Sequence, residues 1–294
     1  MTDRNTRQMR RFSRGGAGAK ARRKDRRITA GLVLMLAAGL ALFLYPLISD
    51  SWNALHQSRV IADYTQAVTA MPSHRYQQML EDARAYNAAL LRSPNRYHPT
   101  EEENAWYERA LDVSGNGVMG YLEIPSIQAS LPLYHGVEEA VLQTAIGHIQ
   151  GSSLPVGGES THCVVSGHRG LPSAKLFTDL DQLQVGDTFS LRVLDEVLVY
   201  QVDQIRIVEP QQLELLEIEK GKDLCTLVTC TPYGVNSHRL LIRGQRVDAA
   251  SERPVRWPAA GSLAVGTLAA AAVGMIVRRR SGAALRRAEG KPRP

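Results

Sequence analysis

One cysteine and one histidine stand where a chain can hold a nucleophile and its acid/base partner. Cys230 ends the apolar run 226–229 and precedes the Pro- and Gly-containing turn 231–234. His168 ends a similar run, 163–167, and a glycine follows two residues later. A side chain at the end of a strand is held rigidly and stays accessible. The two residues therefore predict thiolate chemistry, in which Cys230 attacks and His168 transfers the proton.

Arg239 is the candidate third member of this site. The acyl-transfer intermediate of a thiol nucleophile carries an oxyanion, which needs a donor to stabilise it, and Arg239 opens the last predicted strand. The residues alone leave a plainer interpretation open, because a lone cysteine is often a small buried hydrophobe and a lone histidine is often structural. The order His before Cys excludes a papain-like arrangement, and no caspase-type sequence surrounds Cys230.

The other two cysteines, Cys163 and Cys225, each precede a candidate catalytic residue by five positions. If His168 and Cys230 end neighbouring strands, the two thiols lie level with each other and face away from the catalytic pair. Strand spacing is near the lower limit of disulfide geometry. We therefore expect two buried thiols, with a cross-strand disulfide as the alternative.

No metal site is predicted. His148 and His162 are expected to be structural, and His135 and His238 are not enough for a metal site without carboxylates at suitable spacing.

Short β-type runs separated by Gly, Pro and Asp must position these side chains. The runs are Val118–Ile124, Ser130–Tyr134, His162–Val165, Thr188–Leu194, Val197–Val208, Leu224–Thr229 and Arg239–Arg243. Two helical stretches, Glu138–Ile146 and Ala174–Leu183, interrupt them. Strands of this number and spacing predict a closed barrel or a sandwich.

Residues 50–93 precede the strands and show helical periodicity, interrupted at Pro72. The polar segment Ser93–Gly117 then has the character of a long loop. Loops of this length are usually functional or disordered, so the segment is either a lid over the site or a solvated linker.

Two uncharged apolar runs flank this region. Ile28–Ile48 has the length to cross a bilayer, and Ala259–Val277 is a weaker second run. A cleaved signal peptide and a buried helix are the respective alternatives. The tails outside both runs are rich in Lys and Arg, which stay in the cytoplasm. The sequence thus predicts two spans, with the intervening 210 residues or so outside the cell.

The two tails and the region between them also differ in net charge. The chain has a formal net charge of +6, but residues 28–277 carry 17 bases and 26 acids, a net charge of −9. A nucleic-acid surface needs clustered Lys and Arg, so nucleic acid is not an expected partner. Membrane topology and anionic lipid explain the basic tails more simply.

The residues around the candidate site resemble a known family. Thr226-Leu-Val-Thr-Cys230-Thr-Pro-Tyr-Gly-Val-Asn-Ser-His-Arg239 resembles the active-site signature of the sortases, and Ser166-Gly-His168-Arg-Gly resembles their histidine motif. From Gly120 to Gly244 the chain looks like a class C, pilin-type sortase. The helical extension before the strands and the second apolar run also fit class C.

The resemblance implies a mainly β fold: a sortase-type closed β-barrel with short helices, an N-terminal helical extension and two flanking transmembrane helices. It implies Cys230 as nucleophile, His168 as general acid/base and Arg239 as oxyanion or substrate clamp. The substrate would be a pilin or surface protein with an LPXTG-like sorting signal. A Lys amine of the next pilin would resolve the thioester into an isopeptide bond. No metal or organic cofactor is implied.

One departure from the class C pattern concerns the lid, which commonly carries an Asp-Pro-aromatic motif. Ser93–Gly117 lacks it, and Tyr97, Trp106 or Tyr107 is the expected substitute in the cleft. Alternative functions are a housekeeping-type sortase that anchors proteins to the cell wall, a hydrolytic cysteine protease, and a non-catalytic membrane scaffold.

The predicted layout has seven segments. These are a basic cytoplasmic tail (1–27), a transmembrane helix (28–48), a helical extension with a candidate lid (49–117), the catalytic barrel (118–247), a linker (248–258), a second transmembrane helix (259–277) and a basic cytoplasmic tail (278–294).

Overall fold

The computed structural model describes residues 4–248, with side chains from residue 28 onward. The predicted second span 259–277 and the tail that follows it lie outside the described residues. A long helix, α1 (Arg4–Thr69), contains the first apolar run. Side chains of this run, such as Leu36 and Phe43, are largely exposed. Within the described residues, this is the one helix long and apolar enough to cross a membrane.

Two shorter helices follow α1. Helix α2 (Ser73–Leu90) begins directly after Pro72, as the sequence predicts. Helix α3 (Glu101–Arg109) corrects the prediction that Ser93–Gly117 is a loop throughout. A capping box starts α3, because Thr100 accepts from the backbone N–H of Glu103 while the Glu103 carboxylate accepts from the N–H of Thr100.

Eight strands of the described residues close into a barrel in the order β1-β2-β3-β4-β7-β8-β6-β5. The strands are β1 (Val118–Ile124), β2 (Ala129–His135), β3 (Ile146–His148), β4 (Thr161–Ser166), β5 (Thr188–Val193), β6 (Glu196–Val208), β7 (Asp223–Thr231) and β8 (His238–Val247). The sequence-based prediction of a closed barrel is confirmed.

Two local predictions need correction. β3 was missed because it has three residues, too few to show a period of two. The stretch Ala174–Leu183 is not a helix, since its regular structure is limited to the 3₁₀ turn Leu180–Gln182. The other predicted helical stretch survives in part as α4 (Glu139–Leu142).

Successive side chains along a strand point to opposite faces of the barrel wall, and this alternation separates two apolar clusters. Cys163, Val165, Cys225 and Leu227 belong to the main core inside the barrel. Their neighbours in sequence face outward, where Val164 and Val228 join a second small cluster with Leu216 and Leu241. The outer face of β4, β7 and β8 is therefore a partly covered apolar surface, and the candidate site lies at its end.

Candidate active site

Cys230 and Arg239 face each other across two neighbouring strands. β7 and β8 are antiparallel, and Cys230 is paired directly with Arg239 in their register. Side chains of directly opposed residues share one face of the sheet, with Cβ atoms about 5 Å apart. Arg239 Nη1 donates to the carbonyl oxygens of Asn236 (3.3 Å) and His238 (3.2 Å). These bonds hold the guanidinium beside the turn that follows Cys230.

His168 lies level with Cys230 on the other side of β7. β4 and β7 are parallel, and their register pairs residues 62 positions apart, including Cys163 with Cys225. Beyond the ends of the two strands, two hydrogen bonds join residues that are also 62 positions apart. Thr229 Oγ1 donates to the carbonyl of Gly167 at 2.7 Å, and Arg169 Nη1 donates to Thr231 Oγ1 at 3.2 Å. One bond lies just before the pair His168 and Cys230 and the other just after it, so these two residues lie side by side. The structure therefore brings all three predicted site residues to one end of the barrel.

The loop that carries His168 is braced from several directions. The His168 carbonyl accepts from the backbone N–H of Phe177 at 3.1 Å, and Arg169 forms an ion pair with Asp181. The Tyr233 ring packs over Gly170, where a Cβ would lie 2.9 Å from Cε2 of the ring. The loops after β4 and β7 therefore support each other on both sides of the Cys230–His168 pair.

Glu139 is a neighbour of His168 that sequence reasoning missed. Its Oε2 lies 3.5 Å from His168 Nε2, which is within ion-pair distance. A hydrogen bond from Gln143 lowers the pKa of the Glu139 carboxyl, and the nearby His168 lowers it further. Glu139 is mostly exposed, so solvent screens the interaction. No spacing signal connects residues 139 and 168, because the contact exists only once α4 packs beside the end of β4.

Cys163 and Cys225 lie side by side in the barrel core, as the five-residue spacing predicts. Both are buried and free, and their side chains face away from the outer surface that holds Val164 and Val228. Burial raises the pKa of the Cys225 thiol well above its ordinary value. A buried neutral thiol is a poor nucleophile, whereas Cys230 is partly exposed.

The aromatic residues expected to plug the cleft make their contacts elsewhere. Tyr107 is buried in the barrel core, where its hydroxyl lies 3.0 Å from His148 Nδ1 and accepts from the Gly136 N–H at 2.9 Å. Trp106 Nε1 donates to Asp82 on α2, and the Tyr97 ring lies under the guanidinium of Arg96. In the part of the chain that the structure describes, no hydrogen bond, ion pair or ring contact joins these residues to Cys230.

Buried histidines occupy structural positions. His148 Nε2 lies 2.9 Å from the Ser153 carbonyl, and His162 lies between the Glu217 carbonyl (2.8 Å) and Thr226 Oγ1 (2.7 Å). Among the residues from 28 to 248, no group of three or more His, Cys, Asp or Glu side chains could hold a metal ion.

The fold and this site agree with comparisons to known proteins. The family model for the sortase domain matches residues 122–247. Sortase C1 of Streptococcus agalactiae is 54% identical, with 65% of this chain and 98% of that chain covered at a TM-score of 0.63. Sortase C of Streptococcus pneumoniae is 43% identical, with 65% of this chain and 97% of that chain covered at a TM-score of 0.57. The chain therefore belongs to the sortase family, and these structural neighbours place it among the class C sortases.

Curated relatives match over a shorter part of their length. Sortase D of Bacillus subtilis (strain 168) is 30% identical over 131 residues, which is 44% of this chain and 63% of the relative. Sortase A of Streptococcus agalactiae is 30% identical over 117 residues, which is 39% of this chain and 47% of the relative. The chain spans less than two-thirds of the length of these relatives.

Proposed function

We propose that this chain is a cysteine transpeptidase that cleaves LPXTG-like sorting signals and joins pilin subunits through Lys isopeptide bonds. The observation that carries the proposal is the placement of Cys230 between Arg239, its cross-strand partner, and His168, its level neighbour. A thiol, a proton carrier and a cationic donor at one barrel end are the groups that acyl transfer requires.

The reaction proceeds in two half-reactions. The Cys230 thiolate attacks the carbonyl carbon of the Thr in the sorting signal, and Arg239 stabilises the oxyanion that forms. His168 gives its proton to the leaving amine, and a thioester remains on Cys230. The ε-amine of a pilin Lys then attacks the thioester and loses a proton to His168. The Cys230 thiolate leaves, and an isopeptide bond joins the two pilins.

The pilin assignment is supported by the class of the neighbours. The crystal structure of the pneumococcal sortase C bears on the pilin substrate specificity of that enzyme. The match to sortase C1 of Streptococcus agalactiae covers 65% of this chain, which is more than the sortase domain at 122–247 alone. We propose accordingly that α1 anchors the chain in the cell membrane, that 259–277 spans it again, and that the barrel works outside the cell beside membrane lipid.

The fate of the acyl group tests the proposal. Full-length enzyme in lipid is mixed with a candidate pilin that carries a sorting signal, with and without the acceptor Lys. A transpeptidase forms pilin ladders that survive boiling in detergent and need the Lys, and Cys230→Ala forms none. Free carboxylate released at one rate with or without acceptor would identify a hydrolytic protease. In a further mixture that also supplies a cell-wall peptide, transfer to that peptide and not to the pilin Lys would identify a housekeeping-type sortase.

A further inference from the structure

The first turns of α1 beyond its apolar run are bonded to the loop that carries His168. Ser49 Oγ and Asn53 Nδ2 both donate to the Ser173 carbonyl, at 3.1 and 2.6 Å. The backbone N–H of Lys175 donates to Asp50 Oδ1 at 2.8 Å. We call the barrel end that holds His168 and Cys230 the mouth. The mouth is therefore attached to α1 immediately after Ile48, the last residue of the apolar run.

Later turns of α1 contact the opposite end of the barrel. The Tyr64 hydroxyl donates to the carbonyl of Met119 at 2.9 Å and accepts from the N–H of Leu194 at 2.7 Å. β1 runs in the same direction as β4, because β1–β2 and β3–β4 are antiparallel while β2–β3 is parallel. β4 ends at the mouth, so Met119, at the start of β1, lies far from it. Helix α1 therefore runs along the barrel from the mouth to the other end.

This arrangement fixes which end of the barrel is nearer to a membrane that holds α1. Tyr64 is 15 residues beyond Ser49, which is about 22 Å along a helix. The mouth begins within about one turn of the apolar run. Spanning helices tilt by roughly 40° at most, which does not reverse this order. The mouth therefore faces the bilayer.

Two exposed apolar side chains lie on the mouth. Tyr233 and Val235 are 61% and 70% exposed in the turn between β7 and β8, directly after Cys230. The packing of Tyr233 on Gly170 holds this turn against the loop that α1 also binds. Aromatic side chains with one polar end favour the membrane interface. The mouth carries acids such as Glu139 and Asp181 as well as bases such as Arg169, Lys175 and Arg239. Its charge is therefore mixed, and the contact with lipid proposed here rests on apolar burial.

We infer that the mouth of the barrel is held against the bilayer by α1, with Tyr233 and Val235 in contact with the lipid interface. Substrates then reach Cys230 along the membrane surface. The inference rests on the membrane placement proposed above but not on the catalytic roles, so it is tested in a variant without the nucleophile.

Depth-dependent quenching measures the orientation. Full-length Cys230→Ala protein in phosphatidylcholine nanodiscs receives a fluorophore at Val235→Cys or, as the matched control, at Asp195→Cys. Asp195 is exposed and adjoins Leu194 at the end far from the mouth. We expect a nitroxide on the lipid headgroup to quench the label at 235 several-fold more than the label at 195. Equal quenching at both positions, or stronger quenching at 195, would overturn the inference.

A second pair of variants tests the role of α1. Asp50→Ala with Asn53→Ala removes two side chains that bond the mouth. Ser58→Ala with Thr65→Ala removes two exposed hydroxyls that bond only within α1. The first pair should reduce the difference in quenching between the two labels, and the second should preserve it. If Asp50→Ala with Asn53→Ala leaves the difference in quenching between labels 235 and 195 unchanged, the contacts of Asp50 and Asn53 do not orient the mouth. Neither measurement depends on the formation of pilin ladders. A failure of the orientation proposed here can therefore be told apart from a failure of the proposed reaction.

Discussion

At the scale of single residues, the site depends on side chains that the backbone register sets opposite one another. The Arg239 guanidinium donates to backbone carbonyls of its own turn, and no carboxylate of the described residues forms an ion pair with it. Its remaining donors are available to an oxyanion on the acyl group of Cys230. A planar guanidinium offers two parallel donors, whereas an ammonium offers a point charge.

Replacing Arg239 by lysine tests this geometry. Arg239→Lys keeps the charge and loses the fork, so we expect kcat/KM to fall by about 10²–10³-fold, the range for loss of one oxyanion donor. The measurement is cleavage of a sorting-signal peptide by full-length enzyme. Arg206→Lys, the same change at an exposed position on β6, is the control and should retain full activity. Activity within a few-fold of wild type in Arg239→Lys would argue against the oxyanion role.

A buried histidine gives the protein a predictable response to acid. Burial lowers the pKa of His162 below its ordinary value of 6.5, so the unfolded chain binds the proton more tightly than the folded chain does. The stability that neutral His162 contributes is therefore present in full above about pH 6.5 and is lost as the pH falls toward the lower, folded-state pKa.

The variant His162→Gln should flatten this dependence. Urea unfolding between pH 7.5 and 5 should show a smaller loss of unfolding free energy in His162→Gln than in wild type. His56→Gln changes an exposed histidine on α1 and should retain the wild-type slope. An identical slope in all three proteins would mean that His162 does not titrate differently on folding.

At the scale of elements, the sequence predicted strands and helices whose apolar residues recur with a clear period. It missed elements and neighbours that depend on contacts between distant parts of the chain. The long strand β6 was predicted over nearly its whole length as Val197–Val208, whereas β8 was predicted only over Arg239–Arg243, about half of it. The offset between β4 and β7 follows the paired five-residue spacings, given that His168 and Cys230 end neighbouring strands. Helix α3 was missed although Thr100 and Glu103 form a capping-box signature, because its sequence is too polar to show an apolar face. The approach of Glu139 to His168 had no local signal at all.

One buried tyrosine is among the side chains that hold the segment before the barrel in place. The Tyr107 hydroxyl contacts His148 and the Gly136 N–H inside the barrel. Tyr107→Phe leaves the N–H of Gly136 without this acceptor, so we expect a loss of about 1–3 kcal/mol of unfolding free energy, measured by chemical denaturation. Tyr233→Phe, at an exposed ring, should leave stability unchanged. A Tyr107→Phe protein as stable as wild type would show that α3 is held by packing alone.

At the scale of the whole molecule, charge and hydropathy divide the chain into parts that we propose lie on different sides of a membrane. Residues 1–27 hold 11 Lys and Arg, and residues 278–294 hold 7. Helix α1 continues from the first of these tails through the apolar run to Thr69, and its later turns contact the barrel. Because basic flanks are retained in the cytoplasm, the barrel should be outside and both tails inside.

Labelling of intact cells tests this two-span topology. Single cysteines are introduced at Ser51, Ala250, Ser13 and Ser281 in a Cys230→Ala background, where Cys163 and Cys225 are buried. A thiol reagent that cannot cross membranes should modify positions 51 and 250, since both adjoin the outer region, and should leave 13 and 281 unmodified. All four should react after the cells are opened, which controls for accessibility. Modification of 281 in intact cells would show that 259–277 does not span, and the barrel would then be held by α1 alone.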